Sequence, residues 1–154
     1  MLKILSNNYD KQIKRGVVKP LIASAENTSL PAKSIDVVTG FHLFKHLPNP
    51  AKTIVEAKRI LKPEGFLIFD ALNKNSIIRL NMGSCYASSE EGIKKTLNKN
   101  GFKVIKIEYL HSLGETIYKI PGSLPKSVIH FFDKLISNSQ IKLGTKMFVL
   151  AQKT

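Results

Sequence analysis

The sequence predicts an α/β fold: a mostly parallel sheet with flanking helices, closed by a C-terminal antiparallel strand pair. Two observations carry this prediction. Short β-branched runs alternate along the chain with segments of helical period, the pattern of strands joined by crossover helices. Two of those runs, Pro20–Ser24 (PLIAS) and Ile35–Gly40 (IDVVTG), are apolar almost throughout, as expected for parallel strands buried on both faces.

The elements follow in order. Leu2–Leu5 reads as a strand, and a short polar helix around Tyr9–Arg15 stops at Gly16. After the strands at 20–24 and 35–40 comes the clearest helix. Asn49 is a good N-cap, Pro50 suits the first helical position, and Ala51, Ile54, Val55 and Leu61 share a face. Lys62-Pro63 ends it before a Pro63-Glu64-Gly65 turn, and Phe66–Asp70 (FLIFD) is a buried strand. Ser88-Ser89-Glu90-Glu91 has a capping-box spacing that opens a helix with Ile93 and Leu97 on one side, and Gly101 ends it. Phe102–Leu110 alternates Ile105, Ile107 and Tyr109 with charged neighbours, as in a strand with one wetter face. Residues 124–137 read as an amphipathic helix whose Phe131, Phe132, Leu135 and Ile136 either form a lid or acceptor pocket or, the usual outcome for an apolar helical stripe, pack on the sheet, and Lys146–Gln152 reads as the last strand.

At 154 residues the chain has room for one domain, taken as 1–154, and its 43% hydrophobic and 23% charged content is ordinary for a globular protein. No apolar run approaches the roughly 18 residues of a membrane span. The apolar stretch at the start is too short for a signal-peptide core, and the one cysteine, Cys85, has no internal disulfide partner, so a reducing cytoplasm is expected. The net charge of +13 raises the question of nucleic acid. Residues 1–80 carry 13 basic and 6 acidic side chains against 11 and 5 in the remainder, so there is no basic patch. Of the 24 basic residues 21 are lysine, and no tryptophan stands among them for stacking. Specific nucleic-acid binding is therefore not expected, only weak attraction to anionic partners.

The stretch Ala25–Asp70 carries a family signal: Ala25-Glu26, Leu30-Pro31, Ser34-Ile35-Asp36-Val37-Val38, His46-Leu47-Pro48-Asn49-Pro50, then Glu56 with Arg59-Ile60-Leu61-Lys62-Pro63, and Gly65. In order and spacing it resembles the middle of small-molecule class I S-adenosylmethionine-dependent methyltransferases, which read roughly A-E-x-L-P-F-x-x-x-S-F-D-V-V, H-L-P-D-P and E-x-x-R-V-L-K-P-G-G. Asn100-Gly101-Phe102-Lys103-Val104 likewise resembles the A-G-F-E-V before the family's sixth strand. The resemblance implies a Rossmann-like sheet, S-adenosylmethionine as cofactor and a small-molecule methyl acceptor.

The departures are informative too. The family's first strand and its G-x-G-x-G loop have no counterpart in the sequence, and Met1–Leu5 aligns with the family's second strand. The acidic residue that usually holds the ribose is not found in Leu5-Ser6-Asn7-Asn8, and the one that reads the adenine falls on Ser24. The resemblance then implies that the first strand and Gly-rich loop are missing, and that Met1–Leu5 takes the central slot, a protein partner completes the sheet, or the chain is a fragment of a longer gene product. It also implies weak binding of the cofactor by this chain alone. A catalytically silent, methyltransferase-like scaffold subunit is the rival reading.

Ligands of open α/β sheets sit beyond the carboxyl ends of the strands, which singles out Ser24-Ala25-Glu26 and Gly40-Phe41-His42. By resemblance the first group lines the adenine, and the second lies under the sulfonium and faces the acceptor. His46, the histidine of the family's H-L-P-D-P, either acts on the acceptor as base or orienting group, or packs to fix the loop before Pro48. His42 and His46 are four apart, but no Cys, Asp or Glu is spaced to complete a zinc site, so no metal is expected. Asp36 opens its strand at the far end and is expected to anchor a loop, and Cys85 to be inert.

Overall fold

The computed structural model describes residues 9–76, 85–110 and 144–154. Residues 9–14 are helical and give way to Gly16 at φ +72°, in the left-handed region that glycine enters without strain. The named elements then run β1 (Ile35–Gly40), a 3-10 turn (Phe44–His46), α1 (Pro50–Ile60), β2 (Leu61–Asn73), β3 (Ala87–Ser88), α2 (Glu90–Lys99), β4 (Phe102–Leu110) and β5 (Lys146–Lys153).

The strands form one sheet in the order β1-β2-β5-β4, with β3 paired to the end of β2. β1 and β2 are parallel, Val37 to Gly40 lying opposite Phe66 to Phe69, and α1 is the crossover between them. β5 is antiparallel to both β2 and β4, so the predicted closing pair is present. The expected segments Leu2–Leu5 and 124–137 lie outside the described residues.

Local chemistry explains the boundaries. The Asn49 side chain accepts from the Ala51 N–H at 3.3 Å with Pro50 at the first position, as the sequence predicts for a helix start. At the other end the Lys153 ammonium donates to the Lys58 and Leu61 carbonyls, both at 2.7 Å, and so satisfies acceptors that the helix itself leaves open. Burial, then the charges of Lys33 and Lys58, lower the pKa of that ammonium. α2 starts one residue later than a Ser88 capping box would have it. Ser89 is the cap, accepting from the Gly92 N–H at 3.1 Å, because Ser88 is committed to β3.

One hydrophobic core lies on one side of the sheet. Leu67, Phe69 and Ala71 of β2 and Met147, Val149 and Ala151 of β5 meet Ile54 and Ala57 of α1 and Ile93 and Leu97 of α2. On the other face Phe66 of β2 is 37% exposed and Val37 of β1, opposite it, 46%. Tyr109 ties α2 to β4 by donating to Glu90 at 2.5 Å, and burial followed by that bond pushes its phenol pKa up.

Three sequence expectations are corrected. Residues 20–23 form no strand. The only pairing in that stretch is a single antiparallel bridge from Ser24 to Asn27, and Leu21 and Ile22 are 56% and 82% exposed. Apolar content alone did not make a strand here, because a strand also needs a neighbour to complete its hydrogen bonds. On β4 the ladder slips between Val104 and Lys106, so Ile105 is the extra residue of a bulge and faces solvent while Val104, Ile107 and Tyr109 face the core. Finally, the turn at 63–65 interrupts no strand: β2 begins at Leu61 and takes the turn as an irregularity in its pairing with β1.

That irregularity places Glu64 at φ +60°. The buried Gly65 beside it has no room for a side chain, since a Cβ there would stand 3.0 Å from the Asp36 carbonyl oxygen. A left-handed non-glycine residue costs roughly 1–2 kcal/mol, part of which glycine returns through the entropy of the unfolded chain. Glu64→Gly, the residue type of the resembled family, is therefore expected to raise stability by about 0.5–1 kcal/mol in a urea titration. A destabilised variant would show that the Glu64 side chain contributes more than its backbone costs.

Candidate functional site

The sequence-predicted site residues fall into two loops beside the carboxyl end of β1. The first is the turn Ser24–Asn27, closed by the Asn27 N–H donating to the Ser24 carbonyl at 3.1 Å. Its Ser24 hydroxyl accepts from the Glu26 N–H at 3.2 Å, and the Glu26 carboxylate lies 3.7 Å from the Lys52 ammonium. The second runs from Gly40 to His46. Gly40 is buried, and a Cβ there would approach the Phe44 ring to 3.0 Å, so a larger residue would have to push that ring aside. Phe41 is 52% exposed and tilts against Phe148 of β5 with ring centroids 6.1 Å apart.

A cavity of about 160 Å³ joins the two loops, with Ala25 and Thr28 on one wall and Val38, Thr39 and Gly40 on another. Ser24 and Glu26 instead face a shallower groove shared with Ala51 and Lys52 of α1. Thus Ala25 and Gly40 are brought to one cavity, and Ser24 and Glu26 lie on its outer flank.

The histidines are less converged. His42 adopts φ +56°, held there by its own N–H donating to the buried Asp70 carboxylate at 2.5 Å. His46 ends the 3-10 turn, its N–H bonded to the Leu43 carbonyl at 2.9 Å and its side chain exposed. Among the described residues its imidazole takes part in no hydrogen bond or ion pair, so nothing in the packing explains a histidine there. The described residues contain no group of three or more His, Cys, Asp or Glu able to hold a metal ion.

Two carboxylates that shape the site were not singled out from sequence. Asp70 lies in β2 one residue beyond Phe69, the partner of Gly40 at the carboxyl end of β1, and so faces the loop that follows β1. Glu56 in the sequence is only one letter of a motif. It lies on the buried side of α1 and accepts from the Thr28 N–H at 2.8 Å, the Thr28 hydroxyl at 2.6 Å and two Arg59 nitrogens at 2.8 Å. Arg59 in turn donates to the Leu30 carbonyl at 2.7 Å, so the pair fastens the 28–30 loop to α1. The Arg59 hydrogen bonds, helped by those from Thr28 and working against burial, hold the Glu56 carboxyl down at about 2. Asp36 pairs with Lys62 at 2.7 Å in a solvated contact at the far end of β1, the anchoring place expected for it.

Residues 1–69 match the family model described as a methyltransferase domain. Curated relatives include ubiquinone biosynthesis O-methyltransferases. The one from Photobacterium profundum is 34% identical over 56 residues, covering 36% of this chain and 24% of its own length. The chain thus spans about a quarter of the length of the curated relatives it matches. Among solved structures, a Thermotoga maritima S-adenosylmethionine-dependent methyltransferase superposes with a TM-score of 0.62 at 20% identity, covering 95% of this chain and 69% of that one. A Haloferax volcanii methyltransferase solved in complex with the Trm112 methyltransferase activator superposes with a TM-score of 0.65 at 13% identity, covering 92% and 66%. At such identities the superpositions establish the fold, which is the Rossmann-like one that the sequence predicted.

Proposed function

We infer that this chain, a class I S-adenosylmethionine-dependent methyltransferase by its sequence match and its fold, takes part in methyl transfer to a small-molecule acceptor. The observation that supports the reading most directly is the cavity that brings Ala25 and Gly40 together at the carboxyl end of β1. When bound across the loops 24–27 and 40–46, S-adenosylmethionine would supply a methyl group already activated on a sulfonium, so the protein has mainly to position the reactants. The residues present fit that cofactor in part. Gly40 gives close backbone approach, and the Ser24–Asn27 turn presents backbone and the Glu26 carboxylate at the flank. Ser24, Ala25 and Glu26 would hold the adenosine side, and Gly40 and Phe41 would lie beneath the reacting carbon. His46 or His42 would orient the acceptor or take the proton its hydroxyl or amine gives up, as the acceptor's bond to the methyl carbon replaces the methyl–sulfur bond and S-adenosylhomocysteine leaves.

The acceptor is proposed to be small, as the O-methyltransferase relatives suggest. A protein partner completing the sheet next to β1 belongs to the same proposal, and the Haloferax volcanii complex shows that a protein of this fold can be bound by an activator. None of the described helices is long and apolar enough to cross a membrane. A cytoplasmic setting is proposed from the single cysteine.

Nuclear magnetic resonance titration of the labelled protein with S-adenosylmethionine tests the reading. Shifts centred on the Ala25, Gly40 and Phe41 amides are expected, strengthening when the proposed partner is supplied. Saturating cofactor that moves none of these amides, with or without partner, would leave the silent-scaffold reading in its place.

A further inference from the structure

Thr53 points to a second binding determinant. It is 7% exposed, it lines the 160 Å³ cavity, and among the described residues its hydroxyl is the buried side-chain polar atom left without a hydrogen-bond partner. A threonine hydroxyl inside a helix ordinarily bonds to a carbonyl one turn back, as Thr96 does to Gly92 at 2.8 Å in α2. Thr53 does not, and a buried hydroxyl left open costs about 1–3 kcal/mol. The rest of the lining is mainly apolar: Val38, Leu43, Phe44, Ile60 and Leu67. Glu56, the one charged side chain of the lining, is already committed to Thr28 and Arg59.

A lone water is a poor occupant of such a space, because buried waters need two to four polar partners. A single ring fits better, since apolar cavities of about 150 Å³ are known to take up benzene. We propose that this cavity is a binding site for a small neutral ring bearing one hydrogen-bonding group, with the Thr53 hydroxyl as the polar partner that orients it. Ala25 and Gly40 are shared with the loop pair described above, but the site does not require that the chain transfer methyl groups. It asks only for ring-sized volume and a matching polar edge.

Phenol and toluene, nearly equal in shape, are the probes, and binding to the protein is followed by resonance shifts at Ala25, Gly40 and Ala57. Phenol is expected to bind about five- to tenfold more tightly than its shape alone allows, the worth of one hydrogen bond to an otherwise open group. In Thr53→Val, which keeps the shape and removes the hydroxyl, that advantage over toluene should vanish while the melting temperature holds or rises. The same phenol-to-toluene ratio in both proteins would overturn the role of Thr53. Absence of binding by either probe at millimolar concentration would overturn the site itself. A Thr53→Val protein that fails to fold would be replaced by Thr53→Ser, which keeps the hydroxyl and must keep the preference; its loss there would equally overturn the proposal.

Discussion

Replacing His46 with Ala is expected to slow methyl transfer by the active form of the protein about 10²–10⁴-fold, the usual contribution of a positioned acid–base group. The melting temperature should stay where it is. The His46 side chain is exposed and has no hydrogen-bond partner among the described residues, so the fold loses little with it. Its neighbours in sequence behave differently: Phe44 stacks on Phe69 at 4.1 Å between centroids, and the Lys45 carbonyl accepts from the Tyr86 N–H at 2.7 Å. The loop is therefore fixed by the residues around His46, leaving the imidazole available. Steady-state rates and a thermal melt on the same preparation decide the matter. A full rate with a lowered melting temperature would assign His46 to structure, and the proton-transfer role would be lost with it.

The largest effect on stability is expected at Glu56. Its folded carboxyl sits at about 2 against an ordinary 4.5, so the folded state favours the ionised form. Taken whole, a displacement of that size is worth about 3 kcal/mol. The Arg59 side chain is 41% exposed and solvent screens the pair, which brings the figure to about 2 kcal/mol. The sign follows from the lowered value. The stabilisation is fully present above pH 4.5 and is lost as pH falls from there toward 2, because the unfolded chain takes up its proton first. Glu56→Ala should cost about 2–3 kcal/mol at pH 7 and flatten the acid limb of the stability curve. It should also free Thr28 and Leu30, detaching the loop that carries Ala25 from α1. Urea titrations of both proteins at pH 7 and at pH 3 measure this; equal losses at the two values would mean that packing, not charge, is what Glu56 contributes.

The mutual adjacency of the two site loops follows from the fold rather than from any motif. β1 and β2 are parallel neighbours with Gly40 opposite Phe69, so Asp70, the next residue of β2, reaches the His42 backbone just beyond the end of β1. The 28-residue separation of that pair has no signature in sequence; only the register of the two strands brings it about. The same holds for Glu56 and Thr28, which meet because α1 crosses back over the turn that precedes β1.

What the sequence determined by itself was local or periodic. The Asn49-Pro50 start of α1, the Ile93 and Leu97 face of α2, the β1 and β2 strands and the family resemblance all rest on spacing within about 50 residues, and each is present in the fold. Tertiary structure decided the rest. It left 20–23 outside the sheet, with Leu21 and Ile22 exposed, and it turned Ile105 outward, because the β4–β5 ladder needed one residue fewer than β4 supplies. It put Glu64 into a left-handed turn where the family has glycine, and it enclosed the Thr53 hydroxyl without a partner. None of these is visible in a run of letters, because each is a property of two segments meeting. Hydrogen bonds across a sheet and contacts across a cavity are settled by register and packing, and those exist only once the chain has folded.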